Sequence, residues 1–214
     1  MGDRYDSIRS EAEPWSERGC RVLLLAAYDT AFDDGPLQSA HVAPIALVFL
    51  SNLLRTDALE AFRYIDSQGV SVRVISGDNP LTVAQVAARA GIENADRYVD
   101  SKTLSTEQDF EEAVKYYTVF GRVTPEQKRY LVRAFQKQGH TVAMTGDGVN
   151  DVLALKDANC GIAMASGSQA ASQVAQIVLL NSQFSAMPAI VAEGRRVINN
   201  IQRAASLFLV KKIF

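Results

Sequence analysis

Apolar residues fall along this chain in two different rhythms. Up to about residue 50 they come in unbroken runs, Arg21–Tyr28 (RVLLLAAY) and Ile45–Leu50 (IALVFL), each of which reads as a buried strand. A charged, mildly helical segment, Asp6–Arg18, precedes them, and a polar stretch with glycine and proline, Asp29–Gln38, lies between them. Two strands and one helix are too little for a complete domain. From Arg55 onward helices alternate with short β-rich runs, the pattern of a parallel sheet with crossover helices. Helices are expected over Thr56–Gln68, with Leu59, Phe62 and Ile65 on one stripe and Gly69 as the stop, over Thr82–Ala90, over Phe110–Tyr117, and from the Thr124-Pro125 cap to Gln138-Gly139. Further helices are expected over Asn150–Asp157, after Ser168, and from near Pro188 to the end. Strands are expected at Val70–Ile75, near Tyr98, and at Val119–Val123, Thr141–Thr145, Gly161–Ala165 and Ile177–Leu180. The fold class is α/β, a Rossmann-like parallel sheet flanked by helices.

Composition narrows the function. The chain has 214 residues, 48% of them hydrophobic, enough for one real core. With 22 basic against 24 acidic residues, the formal net charge of -2 gives no electrostatic reason to expect nucleic acid or an anionic membrane as partner. An anion would have to be held locally. Cys20 and Cys160 stand far apart, in neither disulfide nor zinc spacing, and read as small buried apolar residues of a reducing compartment. His41 and His140 are equally isolated. No signal peptide or myristoylation signal is expected at the N-terminus. The apolar stretch Ala204–Phe214 is shorter than the roughly 20 residues of a membrane span. It reads as an interrupted spanning helix or as an ordinary amphipathic one.

In an open parallel sheet, ligands bind where the carboxyl ends of strands meet loops and helix N-termini. Three segments fall there. In Ile75-Ser76-Gly77-Asp78-Asn79 a hydroxyl and a glycine amide can donate to phosphoryl oxygens, although the same string also suits an ordinary turn. In Arg122-Val123-Thr124-Pro125-Glu126-Gln127-Lys128, Lys128 adds a full positive charge near a helix N-terminus, where a solvated surface lysine is the alternative. In Thr145-Gly146-Asp147-Gly148-Val149-Asn150-Asp151, two carboxylates four residues apart straddle a glycine turn, an oxygen-donor arrangement suited to magnesium with water and phosphate completing the shell.

Taken together, residues 70–181 resemble the P-type cation-transporting ATPases of the haloacid dehalogenase superfamily. SVRVISGDN looks like that family's TGD segment, GRVTPEQK like its phosphate-lysine segment, and TGDGVNDVLALKDANCGIAM like its hinge motif. LLRTDALEAF is similar to the opening of the phosphorylation domain. The sequence from Ser172 to Phe214 is similar to the last strand and the stalk that rises into a membrane helix, in a bacterial subgroup associated with calcium. The resemblance implies three parts: residues 1–50 as the end of a nucleotide-binding domain, 51–187 as the C-terminal part of the phosphorylation domain, and 188–214 as a stalk helix leading into a truncated membrane helix.

It also implies roles. Ser76 and Gly77 would hold the phosphoryl group, Lys128 would bridge it to the nucleophile, and Asn150 and Asp151 would fix the phosphate and orient the lysine. Asp147 would coordinate Mg2+, and Arg55, Asp78 and Arg122 would lie by the nucleotide. The implied ligands are ATP, Mg2+ and a transported cation, with calcium favoured, in the cytoplasmic part of a cell-membrane protein. The sequence departs from the family in one large respect, because it contains no DKTGT string. Covalent phosphoenzyme chemistry needs that carboxylate, so the chain alone is expected to hydrolyse no ATP. Asn52, Leu53 and Leu54 replace the aspartate and prolines that usually precede Arg55, Val152-Leu153 replaces an Ala-Pro pair, and Asn159-Cys160 replaces an Asp-Ile or Asp-Val pair. Two rival readings remain: a stand-alone phosphatase of the superfamily using Asp29, and a binding module without turnover.

Overall fold

A computed structural model describes residues 2–18, 20–29, 41–51 and 54–213. Helix α1 (Gly2–Glu17) leads into an antiparallel hairpin of β1 (Arg21–Tyr28) and β2 (Val42–Leu50). The polar stretch expected after Asp29 lies outside the described residues, as do Asn52 and Leu53. β2 starts three residues earlier than expected, and the register shifts opposite Leu25/Ala26, where Ala46 and Pro44 are the partners. A proline has no N–H to give the ladder, so a bulge is its tolerated place there.

The hairpin corrects the expectation of buried strands. Leu23, Leu24 and Leu25 are 43%, 48% and 53% exposed and Ile45 is 63% exposed. Two strands with only α1 beside them, its Trp15 ring 4.7 Å from Phe49, lack a second layer among the described residues. Cys20 and Cys160 are likewise half-buried rather than fully buried.

The rest of the chain alternates as expected: α2 (Ala58–Ser67), β3 (Val74–Ile75), α3 (Pro80–Arg89), β4 (Tyr98–Asp100), α4 (Glu107–Tyr116), β5 (Val119–Gly121), α5 (Pro125–Lys137), β6 (Ala143–Gly146), α6 (Val152–Asp157), β7 (Cys160–Met164), α7 (Gln169–Val174), β8 (Ile177–Leu179) and α8 (Met187–Ile213). Thr124 and Gln127 form a reciprocal capping box at the start of α5, with Pro125 in the first turn. Gly139, at φ 85°, takes the chain out of that helix in a conformation costly for any other residue.

The strands do not form one sheet. Among the described residues they make two three-stranded parallel sheets, ordered β3-β5-β4 and β6-β7-β8, with no hydrogen-bonded ladder between them. Edge strand β3 is two residues long where six were expected, because only β5 pairs with it. One core nevertheless spans both halves. Phe110, Phe120, Leu131 and Phe135 pack under the first half, and Val132, Met144, Leu155 and Ala163 under the second. Ile75 and Val142 touch both groups. Helix α5 therefore lies along the seam, sending Leu131 to one side and Val132 to the other. Burying Phe120 completely is worth about 2–3 kcal/mol.

Helix α8 has 27 residues, roughly 40 Å at 1.5 Å per residue. Its first turns pack on α2, and in the 3-10 turn just before it (Phe184–Ala186) the Phe184 ring meets that of Phe62 at a tilt, with ring centres 5.3 Å apart. From residue 192 to 209 every residue is exposed, including Ile201, Leu207 and Phe208. No helix among the described residues is long and apolar enough to cross a membrane.

Candidate phosphate and magnesium site

The loops that follow β3, β5 and β6 all leave the carboxyl ends of parallel strands. Backbone bonds join the first two. Arg122 N donates to Asp78 O at 2.8 Å and Val123 N to Ser76 O at 3.0 Å, which sets the Ser76 turn beside the start of α5. To make this turn Arg122 adopts φ 53°, a left-handed conformation that costs about 1 kcal/mol or more in a residue with a side chain. Ser76 Oγ accepts from Asp78 N at 3.1 Å. A methyl group at Gly77 would meet nothing nearer than Val123 O at 3.9 Å, so the protein itself does not require glycine there.

The second and third loops meet through charge. Lys128 Nζ donates to Asp151 Oδ1 at 2.6 Å, with the two side chains only 14% and 9% exposed. The other oxygen, Oδ2, accepts from Gly148 N at 3.1 Å. Asp151 can approach so closely because Gly146 has no side chain; a Cβ there would stand 2.6 Å from that of Asp151. Charges so far out of water are costly unless paired and hydrogen-bonded, and both oxygens here are occupied. Asp147, on the same turn, is exposed, and its carboxylate makes no hydrogen bond among the described residues. Asn150 is also exposed, in the 3-10 turn Val149–Asp151.

Two residues outside the expected set shape this turn. Ser168 N donates to Asp147 O at 2.6 Å, and a Cβ at Gly167 would stand 2.9 Å from the Asp147 Cα. The Gly-Ser pair just past β7 was their sequence signal, since a glycine at a strand end often marks close backbone approach. The structure thus brings Ser76, Gly77 and Asp78 beside Arg122, and Lys128 beside Asp151 with Asp147 and Asn150 on the same turn.

Two residues expected at the nucleotide are otherwise engaged. The Arg122 side chain pairs with Asp100 at the end of β4. Partial burial works to raise the pKa of Asp100, but the Lys102 amide and Arg122 outweigh it and hold the carboxyl below its ordinary range. Arg55 joins Asp57 at 3.4 Å just before α2, and Asp57 is held low chiefly by the hydroxyl of Ser185. No hydrogen bond or ion pair among the described residues links the Arg55 side chain to the other loops. Asp29, the nucleophile of the phosphatase reading, sits at the hairpin end, exposed and 2.7 Å from His41 Nδ1.

Among the described residues no three His, Cys, Asp or Glu side chains cluster as a metal cage. One unengaged carboxylate, Asp147, is still a fit donor for Mg2+, which keeps several waters and takes one or two protein carboxylates together with substrate phosphate oxygens.

In a parallel α/β protein, ligands bind where loops leave the carboxyl ends of the strands, which is where the Ser76, Lys128 and Asp147–Asp151 segments lie. The sequence model of the haloacid dehalogenase-like hydrolases matches residues 6–159, and the chain belongs to that family. Its relatives are cation-transporting ATPases. It is 52% identical over 205 residues to the calcium-transporting ATPase CtpE of Mycobacterium tuberculosis (strain CDC 1551 / Oshkosh), a match covering 95% of this chain and 25% of that protein. To the probable cation-transporting ATPase exp7 of Streptococcus pneumoniae serotype 4 it is 43% identical, over 98% of this chain and 27% of that one. The chain therefore spans about a quarter of these relatives. The crystal structure of a zinc-transporting PIB-type ATPase in its E2.Pi state has the same fold over 92% of this chain and 26% of its own, with a TM-score of 0.64 at 24% identity.

Proposed function

We propose that this chain is the C-terminal part of the phosphorylation domain of an ATP-driven P-type cation pump, where it holds the phosphoryl group while an aspartyl phosphate forms and is hydrolysed. The observation that carries the reading is the shielded Lys128–Asp151 pair at the carboxyl edge of a parallel sheet, beside an unengaged Asp147. Lys128 would neutralise charge on the phosphoryl oxygens and on the acceptor carboxylate, and Asp151 would aim it. Ser76 and the Gly77 amide would position the group, and Asn150 would hold it from the other side. Asp147 would hold Mg2+, whose contribution when bound is to neutralise phosphate charge. Asp78, Arg55 and Arg122 would face the nucleotide, Arg122 after exchanging its contact with Asp100.

The divided sheet supports the same reading. β3 and β6 are edge strands of two parallel half-sheets that share one core, and each has an unpaired edge among the described residues. A further parallel strand bearing the acceptor aspartate, of the DKTGT kind absent here, would sit between them and deliver its carboxylate to Lys128. The chain alone would then turn over no ATP. Calcium is the favoured cargo, by similarity to the CtpE proteins, with ion ligands in membrane helices beyond this chain and residues 188–214 as the stalk towards them. The test is calorimetric titration with orthovanadate, with and without Mg2+. Lys128→Ala and Asp147→Ala should each weaken Mg2+-dependent binding at least about tenfold; binding indifferent to both changes would sink the proposal.

A further inference from the structure

Away from the loop cluster, two arginines of α5 share one carboxylate of α6. Arg129 Nε lies 2.6 Å and Arg133 Nε 2.8 Å from the same oxygen, Oδ2 of Asp157. One turn further along α5, Gln136 Nε2 donates to Asp157 O at 2.9 Å and to Asn159 Oδ1 at 3.1 Å. The latter oxygen also accepts from Val142 N at 2.9 Å, just before β6. The Asp157 side chain is only 18% exposed. Partial burial works to raise its pKa, but the hydrogen bonds from Arg129 and Arg133 prevail and keep it ionised below the usual range.

These contacts have a direction. α5 begins beside the start of α6, where Lys128 meets Asp151, and ends beside the end of α6, where Arg133 and Gln136 meet Asp157. The two helices are neighbours, joined at the start of α6 by Lys128 and at its end by Arg129, Arg133 and Gln136. Arg129, which follows Lys128 directly in the chain, is held by Asp157 and not by Asp151. Asp157 occupies it, together with Arg133, and fixes how α5 is rotated and how far it slides along α6.

We propose that Asp157 is a positioning residue for Lys128: as the anchor of Arg129 and Arg133 it locks α5 onto α6 and keeps the Lys128 ammonium on Asp151. Its consequence for phosphate binding rests on the function proposed above. The locking itself does not.

Two readouts separate these layers. The first is the reactivity of Lys128 towards a small amine reagent, trinitrobenzenesulfonate, mapped by mass spectrometry on the whole chain. Asp157→Ala should raise labelling of Lys128 about fivefold and leave the exposed Lys115 unchanged. The double substitution Arg129→Gln with Arg133→Gln, which keeps the carboxylate and only unties it, should do the same. If either folded variant left Lys128 labelling at the wild-type rate, the inference would be overturned. The second readout is Mg2+-dependent orthovanadate affinity, which Asp157→Ala should weaken about fivefold, with no further loss in a Lys128→Ala background. A Lys128→Ala chain that binds orthovanadate like wild type removes the proposed function and leaves the labelling result standing. Loss in Lys128→Ala but none in Asp157→Ala overturns the positioning role alone.

Discussion

The α/β body and the two segments that flank it are built from similarly apolar sequence, yet they treat apolar side chains in opposite ways. In the body Phe120, Leu131 and Leu155 are completely shielded, each lying between a half-sheet and a helix. In the hairpin the run Leu23-Leu24-Leu25 is about half exposed on both faces, and on α8 Leu207 and Phe208 are 72% and 76% exposed. Charges follow the same division. In the body several link elements distant in sequence, as in Lys128–Asp151 and Arg129–Asp157, besides local pairs such as Glu112–Lys115, whereas on α8 the pair Glu193–Arg196 joins residues one turn apart. Burial thus comes from a second layer and not from apolarity alone, and the flanks lack that layer among the described residues.

Stability measurements can break this contrast. Its strongest test is Phe120→Ala, which removes a completely buried ring and should cost about 3–5 kcal/mol in urea unfolding. A cost under about 1 kcal/mol would mean that the body is no better packed than its flanks. Glycine substitutions sharpen the same point. Gly146→Ala drives a methyl group into Asp151 and should cost about 1–3 kcal/mol. Gly194→Ala, in the interior of α8 with nothing within 4 Å, should stabilise by about 0.5–1 kcal/mol. Like signs for the two would contradict the division.

A smaller effect is read with pH. Asp157 titrates below its ordinary 3.8 in the folded chain, so the unfolded chain binds its proton first as pH falls. Its contribution is therefore fully present at neutral pH, begins to fall near pH 4 and is lost below the folded value. The difference in stability between wild type and Asp157→Asn should shrink over that range. A difference that grew on acidification would reverse the sign argued here. Least of all, Leu25→Ser in the hairpin should change urea unfolding by no more than about 0.5 kcal/mol.

Much of the body was legible beforehand, because its signals are local. The Thr124-Pro125 cap, the glycines after α2, α3 and α5, and the stripes of apolar residues located the helices to within a few residues. Strand ends were harder. Val70–Arg73 is as β-prone as Val74–Ile75, but only the latter finds a partner, and pairing depends on a neighbour that a local pattern does not contain. For the same reason the division of the sheet between β3 and β6 could not be foreseen. The candidate site divides likewise. Ser76, Lys128, Asp147 and Asp151 were singled out by residue type and spacing, whereas the roles of Gly167 and Ser168 emerged only when β7 brought them against Asp147.

Residue order thus carried the alternation of helix and strand, the turns, and the chemical character of the three strand-end loops, all of which depend on neighbours a few positions apart. Which carboxylate meets which cation depended instead on the packing of helices: Arg122 was taken up by Asp100, Arg129 and Arg133 by Asp157, and Lys128 by Asp151. These partners are 22 to 28 residues apart in the chain. Ion pairing falls off within a few ångströms, so only the distances set by folding could choose among so many oppositely charged candidates.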